Sequence, residues 1–77
     1  MIDISNNVNT ILEKIKVLPI IQSGKRSIVV LSNRNVDLQI EDFDTAVQYI
    51  WENDLAKVLK VEREHQYIAK LYADVSK

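Results

Sequence analysis

The stretch SGKRS, residues 23–27, holds the chain's one glycine beside two adjacent cations, Lys25 and Arg26. A loop that cradles a phosphate follows the pattern G-x-x-x-x-G-K-[ST], in which several backbone N–H groups and a lysine converge on the ligand. With no second glycine in the chain, that pattern is not met. The residues read instead as a hairpin tip, where Gly24 supplies a positive φ and the two cations are solvated. A contact with a small anion or a nucleic acid would use Lys25, Arg26 and Arg34. Other chemistry-bearing residues are equally sparse. His65 is the one histidine; a nearby Glu62 does not make a structural zinc site, which takes four ligands. Serine and threonine hydroxyls are present, but none lies in a nucleophile elbow. The chain has no cysteine, so a thiolate centre and a disulfide are both excluded. No catalytic residue, metal or cofactor is expected, and the chain does not read as an enzyme.

Carboxylates give the clearest pattern. Residues 35–56 carry six anions, Asp37, Glu41, Asp42, Asp44, Glu52 and Asp54, and no cation. The formal net charge is only −1, so this local excess is hidden in the total, and no general basic footprint for nucleic acid exists. The spacing of Glu41, Asp42 and Asp44 lacks the D-x-[DN]-x-[DN]-G order of a calcium loop. These residues can cap a helix and complement its dipole. They can also form an acidic patch facing a basic protein partner, which Asp37 would extend from an open sheet face. Tyr49 and Tyr67 fall off the apolar stripes of their segments and are candidate interface anchors. Trp51 shares a stripe with Val47 and Leu55 and reads as core. The candidate partner-binding residues are therefore Asp37, Glu41, Asp42, Asp44, Tyr49 and Tyr67.

The elements that position these residues follow from hydrophobic period. Val8, Ile11, Leu12 and Ile15 stand at i, i+3, i+4 and i+7, one apolar face of a helix. Ser5 is a candidate N-cap, and Pro19 ends the helix by disfavouring helical geometry at Leu18. The expected helix covers residues 5–17. LPIIQ and SIVVLS, joined by Gly24-Lys25-Arg26, read as a hairpin. After the turn formers NRN, VDLQI alternates and reads as a third strand, with Val36, Leu38 and Ile40 on one face. From Phe43 onward the period changes: Phe43, Val47, Ile50 and Trp51, then Leu55, Val58, Leu59, Val61, His65, Ile68, Leu71, Tyr72 and Val75. This reads as two helices, about 43–53 and 55–75, broken at Asn53-Asp54. An alternative takes KVLKV as a strand, because it alternates in part.

The expected fold class is α+β in the order α-β-β-β-α-α, a three-stranded antiparallel meander packed against helices, as one small domain over residues 1–77. No internal repeat or low-complexity linker is visible. The order of the first five elements resembles the double-stranded RNA-binding domain, which grips phosphates with lysines at the start of its last helix. Here the matching stretch is EDFDTA, and its carboxylates would repel a phosphate backbone. The full order also resembles that of some small acidic phage inhibitors. At 77 residues a domain buries only about 60% of its unfolded surface, so a homodimer through the C-terminal helix would add core. Apolar runs such as IVVL fall far short of the ~20 residues that span a bilayer. The first ten residues lack the basic and apolar regions of a secretory signal, so a cytoplasmic location is expected. Frequent Ile, Asn and Lys, which have AT-rich codons, point to a low-GC bacterium, its phage or a prophage. The function expected is a non-catalytic protein–protein interaction module, an accessory or regulatory, inhibitor-like factor. The alternative is a small nucleic-acid-binding regulator using the basic hairpin tip.

Overall fold

The structure is a computed structural model that describes residues 4–76. The elements are helix α1 (Ile4–Val17), strands β1 (Ile21–Ser23) and β2 (Arg26–Ser32), helix α2 (Ile40–Glu52), and strands β3 (Lys57–Glu64) and β4 (Tyr67–Asp74). The four strands form one antiparallel sheet in the order β1-β2-β4-β3. The fold is thus α+β, but with two helices and four strands among the described residues. Among the described residues no helix is long and apolar enough to cross a membrane.

Helix α1 buries the stripe read from the sequence, with Val8, Ile11 and Ile15 in the core and Leu12 packed against it. Ser5 lies inside the helix, so the capping position falls outside the described residues. The chain turns after Val17, where Leu18 still donates its N–H to the Lys14 carbonyl at 3.0 Å, and Pro19 follows. The β1–β2 hairpin closes through Gly24-Lys25, with Ser23 opposite Arg26. Gly24 has φ 64 and Lys25 does not share the positive sign, the pattern of a type II′ turn with glycine first. A Cβ at Gly24 would meet nothing within 4 Å, so backbone conformation, and not space, requires glycine here. In β2, Val29 and Leu31 point into the core.

The expected third strand at VDLQI is absent. Residues 33–37 are a run of turns instead, and asparagine side chains bond the backbone there. Asn35 Oδ1 accepts from the Ser32 N–H at 2.7 Å, and Asn33 Nδ2 donates to the Leu38 carbonyl at 3.1 Å. Backbone groups satisfied locally have no need of a partner strand. Asp37, and neither asparagine, takes the left-handed conformation, at φ 56. Val36 is buried as a loop residue.

Helix α2 buries Phe43, Ala46, Val47 and Ile50. Its N-cap is Gln39, which makes no side-chain capping bond; Asp42 and Asp44 lie within the helix and do not cap it. The C-terminus closes as a Schellman motif: Asp54 N–H donates to the Trp51 carbonyl at 3.3 Å and Leu55 N–H to Ile50 at 3.0 Å. Asp54, at φ 54, is the left-handed residue.

No helix follows. The segment expected as helix 55–75 is the β3–β4 hairpin, so the partly alternating KVLKV is a strand. Two bulges explain the false helical period. Val58 pairs with Ala73 and Lys60 with Tyr72, leaving Leu59 extra in β3; Glu62 pairs with Lys70 and Arg63 with Ile68, leaving Ala69 extra in β4. Each bulge inserts a step of three into a period of two. Inward residues Ile68, Leu71 and Ala73 therefore mimic a helical stripe. The homodimer surface expected on that helix does not exist as such, because alternate side chains go to opposite faces of the sheet. The β3–β4 turn is His65-Gln66, with His65 at φ 57.

The order α-β-β occurs twice. Helix α2 packs on β4, and α1 packs on α2 and β2, all on one face of the sheet. Strands β2 and β4 meet antiparallel at the centre, with Val30 opposite Tyr72 in the middle of their register. The two halves are thus related by an approximate two-fold axis through that pair. The core stripes repeat the relation: Val8, Ile11, Leu12 and Ile15 in α1 match Phe43, Ala46, Val47 and Ile50 in α2. Among the described residues the other sheet face carries no helix.

Candidate functional site

Of the six residues expected to bind a partner, α2 carries three outside the core. Glu41 and Asp42 lie in its first turn, where carboxylates complement the dipole. Tyr49 projects from the same helix and is 43% exposed. Asp37 is exposed in the loop before α2. The remaining two are elsewhere. Asp44 is buried: Oδ1 accepts the Ile68 backbone N–H at 3.0 Å and lies 4.0 Å from Arg63, and Oδ2 accepts from Gln48 at 3.0 Å. It ties α2 to β4 and is not available to a partner. Tyr67 is half-buried and neighbours the inward Ile68, so it stands on the sheet face away from α2.

Trp51, expected in the core, is 46% exposed. Ile50 takes the core position, and the next residue along a helix points about 100° away. Trp51 and Glu52 of α2 line a groove of about 320 Å³ with Gln48 and with Arg63 of β3. Leu55, just past the helix, is also exposed. The helix carries no cation in its last turn, where cations are electrostatically favoured; it carries Glu52 there, and Asp54 follows. Glu52 and Asp54 form no ion pair with another described residue. The signal that could have placed Trp51 outside was present: the stripe Phe43, Ala46, Val47, Ile50 has the same spacing as that of α1, and Trp51 lies beyond it.

The cations of the alternative site are split. Lys25 and Arg26 sit at the start of β2, and Arg34 follows its other end, some 20 Å away for a strand of this length. The uncovered sheet face holds its own network. The Tyr72 hydroxyl donates to Glu62 at 3.0 Å, and Lys60 lies 4.5 Å from the Tyr72 ring centroid. The bond to Glu62, with burial and the carboxylate's charge, pushes the Tyr72 pKa up. At the sheet end, Ser76 side-chain and backbone donors, with Lys57 and Arg26 nearby, hold the Asp74 carboxyl below its ordinary range. His65 is an exposed turn residue. Among the described residues no three His, Asp or Glu side chains are placed to hold a metal ion. In comparisons with known proteins, no family model, curated sequence or solved structure matches the chain.

Proposed function

We propose that the protein is a non-catalytic interaction module that binds another protein through the acidic C-terminal end of α2. The observation that carries this reading is the exposed Trp51, with the exposed Leu55 just past it, at the end of a helix whose charges are all negative. Tryptophan is among the residue types richest in interface hot spots, because it offers a large rigid area with a polar tip. Glu52 and Asp54 adjoin these two with unpaired negative charge at a helix end that disfavours it, which suits a partner surface with cations. A role as an accessory or regulatory factor fits such a surface. The test is a photo-reactive phenylalanine analogue in place of Leu55, and in parallel in place of Glu62 on the uncovered sheet face. Irradiation in cell extract is expected to give protein adducts from position 55 and none of the same identity from position 62. Equal adducts from both, or none from position 55, would remove the end of α2 as the binding surface.

A further inference from the structure

The surface that complements this end of α2 is present on the chain itself, at the opposite edge of the sheet. Val17, Ile20 and Ile21 are exposed, Val17 at 72%. They occupy the connection from α1 into edge strand β1. Trp51 and Leu55 occupy the equivalent connection from α2 toward β3, the other edge. The approximate two-fold axis therefore carries one apolar patch onto the other. Their charges are opposite. Beside the first patch stands Lys14, which shares a groove with Val17 and Glu13, and Lys25 lies at the hairpin tip where β1 ends. Neither forms an ion pair with a described residue. Residues 14–36 contain five cations and no carboxylate. Glu13 is the nearest anion and already faces Lys16 at 3.5 Å. Around the second patch stand the unpaired Glu52 and Asp54; Arg63, which shares the Trp51 groove, is already held 4.0 Å from Asp44.

Resting on the reading of α2 as a binding surface, we propose that its partner is a second copy of this chain, docked head to tail. The basic β1-edge patch of one copy covers the acidic Trp51–Leu55 patch of the next. The contact is heterologous, so each copy keeps one free patch and the assembly grows to a ring or a filament. A self-complementary dimer through either patch alone would set like charges against each other, Lys14 and Lys25 on one side or Glu52 and Asp54 on the other, which is disfavoured.

Sedimentation of the whole chain at low salt tests this. The mass is expected to rise beyond one protomer by about 1 mM and to fall back on dilution or on screening by about 1 M salt. Val17→Lys with Ile21→Lys removes the first patch, and Trp51→Asp with Leu55→Asp removes the second. Each double variant is expected to remain folded by circular dichroism and monomeric alone, because all four positions are exposed. Mixed, the two variants retain one intact patch each and are expected to form a 1:1 dimer that grows no further. A monomeric wild type throughout this range, a single-patch variant that still self-associates, or a mixture that does not pair would each overturn the proposal. The arms separate the two readings. A monomeric wild type whose position-55 crosslinker still captures another protein removes only the self-partner, whereas no capture removes the α2 surface as well.

Discussion

Asp44 shows how one side chain can change role between sequence and structure. Its position beside Glu41 and Asp42 reads as a solvated acid, yet it falls on the inner flank of α2 and accepts the buried Ile68 N–H. That partner lies 24 residues away, beyond what local pattern can specify. Truncation by Asp44→Ala leaves this N–H buried without an acceptor, an arrangement that costs about 1–3 kcal/mol. Urea unfolding is expected to show a loss of about 2 kcal/mol, and Asp44→Asn, which keeps an acceptor, less. Tyr49 was legible because it sits off the stripe; Trp51 was not, because a wide apolar stripe admits either Ile50 or its neighbour. Asp74 brings a pH dependence. Its folded pKa is depressed, chiefly by the Ser76 hydroxyl and N–H, so its contribution to stability is present above the ordinary carboxylate value and is lost as pH falls through the depressed one. Wild-type melting temperature is expected to drop more steeply than that of Asp74→Asn below about pH 4.

The two hairpins close in the same way with different residues. Gly24 and His65 each stand first in a two-residue turn with positive φ. The glycine announced its turn and the histidine did not, because left-handed geometry costs a non-glycine residue about 1–2 kcal/mol and is seldom assumed in advance. His65→Gly is expected to raise stability by about 0.5–1 kcal/mol, the relieved strain less the entropy of the added glycine. Gly24→Ala is expected to lower it by about 1–2 kcal/mol, the cost of the left-handed backbone alone, because the added Cβ meets no atom. Thermal melts of both variants measure the difference. Helix α1, the first hairpin and the end of the acidic helix were readable because their periods are unbroken. The β3–β4 pair was not, because Leu59 and Ala69 interrupt the alternation. VDLQI misled in the other direction, since five alternating residues are too few to outweigh asparagine side chains that satisfy the backbone locally.

At the scale of the whole molecule, two helices and the inner faces of β2, β3 and β4 enclose a core in which Phe43 is the largest fully buried side chain. A domain this small holds only a few kcal/mol in reserve, and removing a buried phenylalanine costs about 3–5 kcal/mol. Phe43→Ala is therefore expected to be largely unfolded at 25 °C by circular dichroism. The α+β class was legible, since helical and strand periods both occur in the chain; the repeat of α-β-β was not, because the halves share spacing and turn geometry with little identity of residues. The joint between the halves is made by β2 against β4 and α1 against α2, and their covalent link is the turn-rich segment 33–39. A cut in that segment severs no element. Each fragment would keep a helix and a hairpin but lack the surface its apolar stripe must cover. Two such peptides, each without stable structure alone, would find in one another what the intact chain supplies from within.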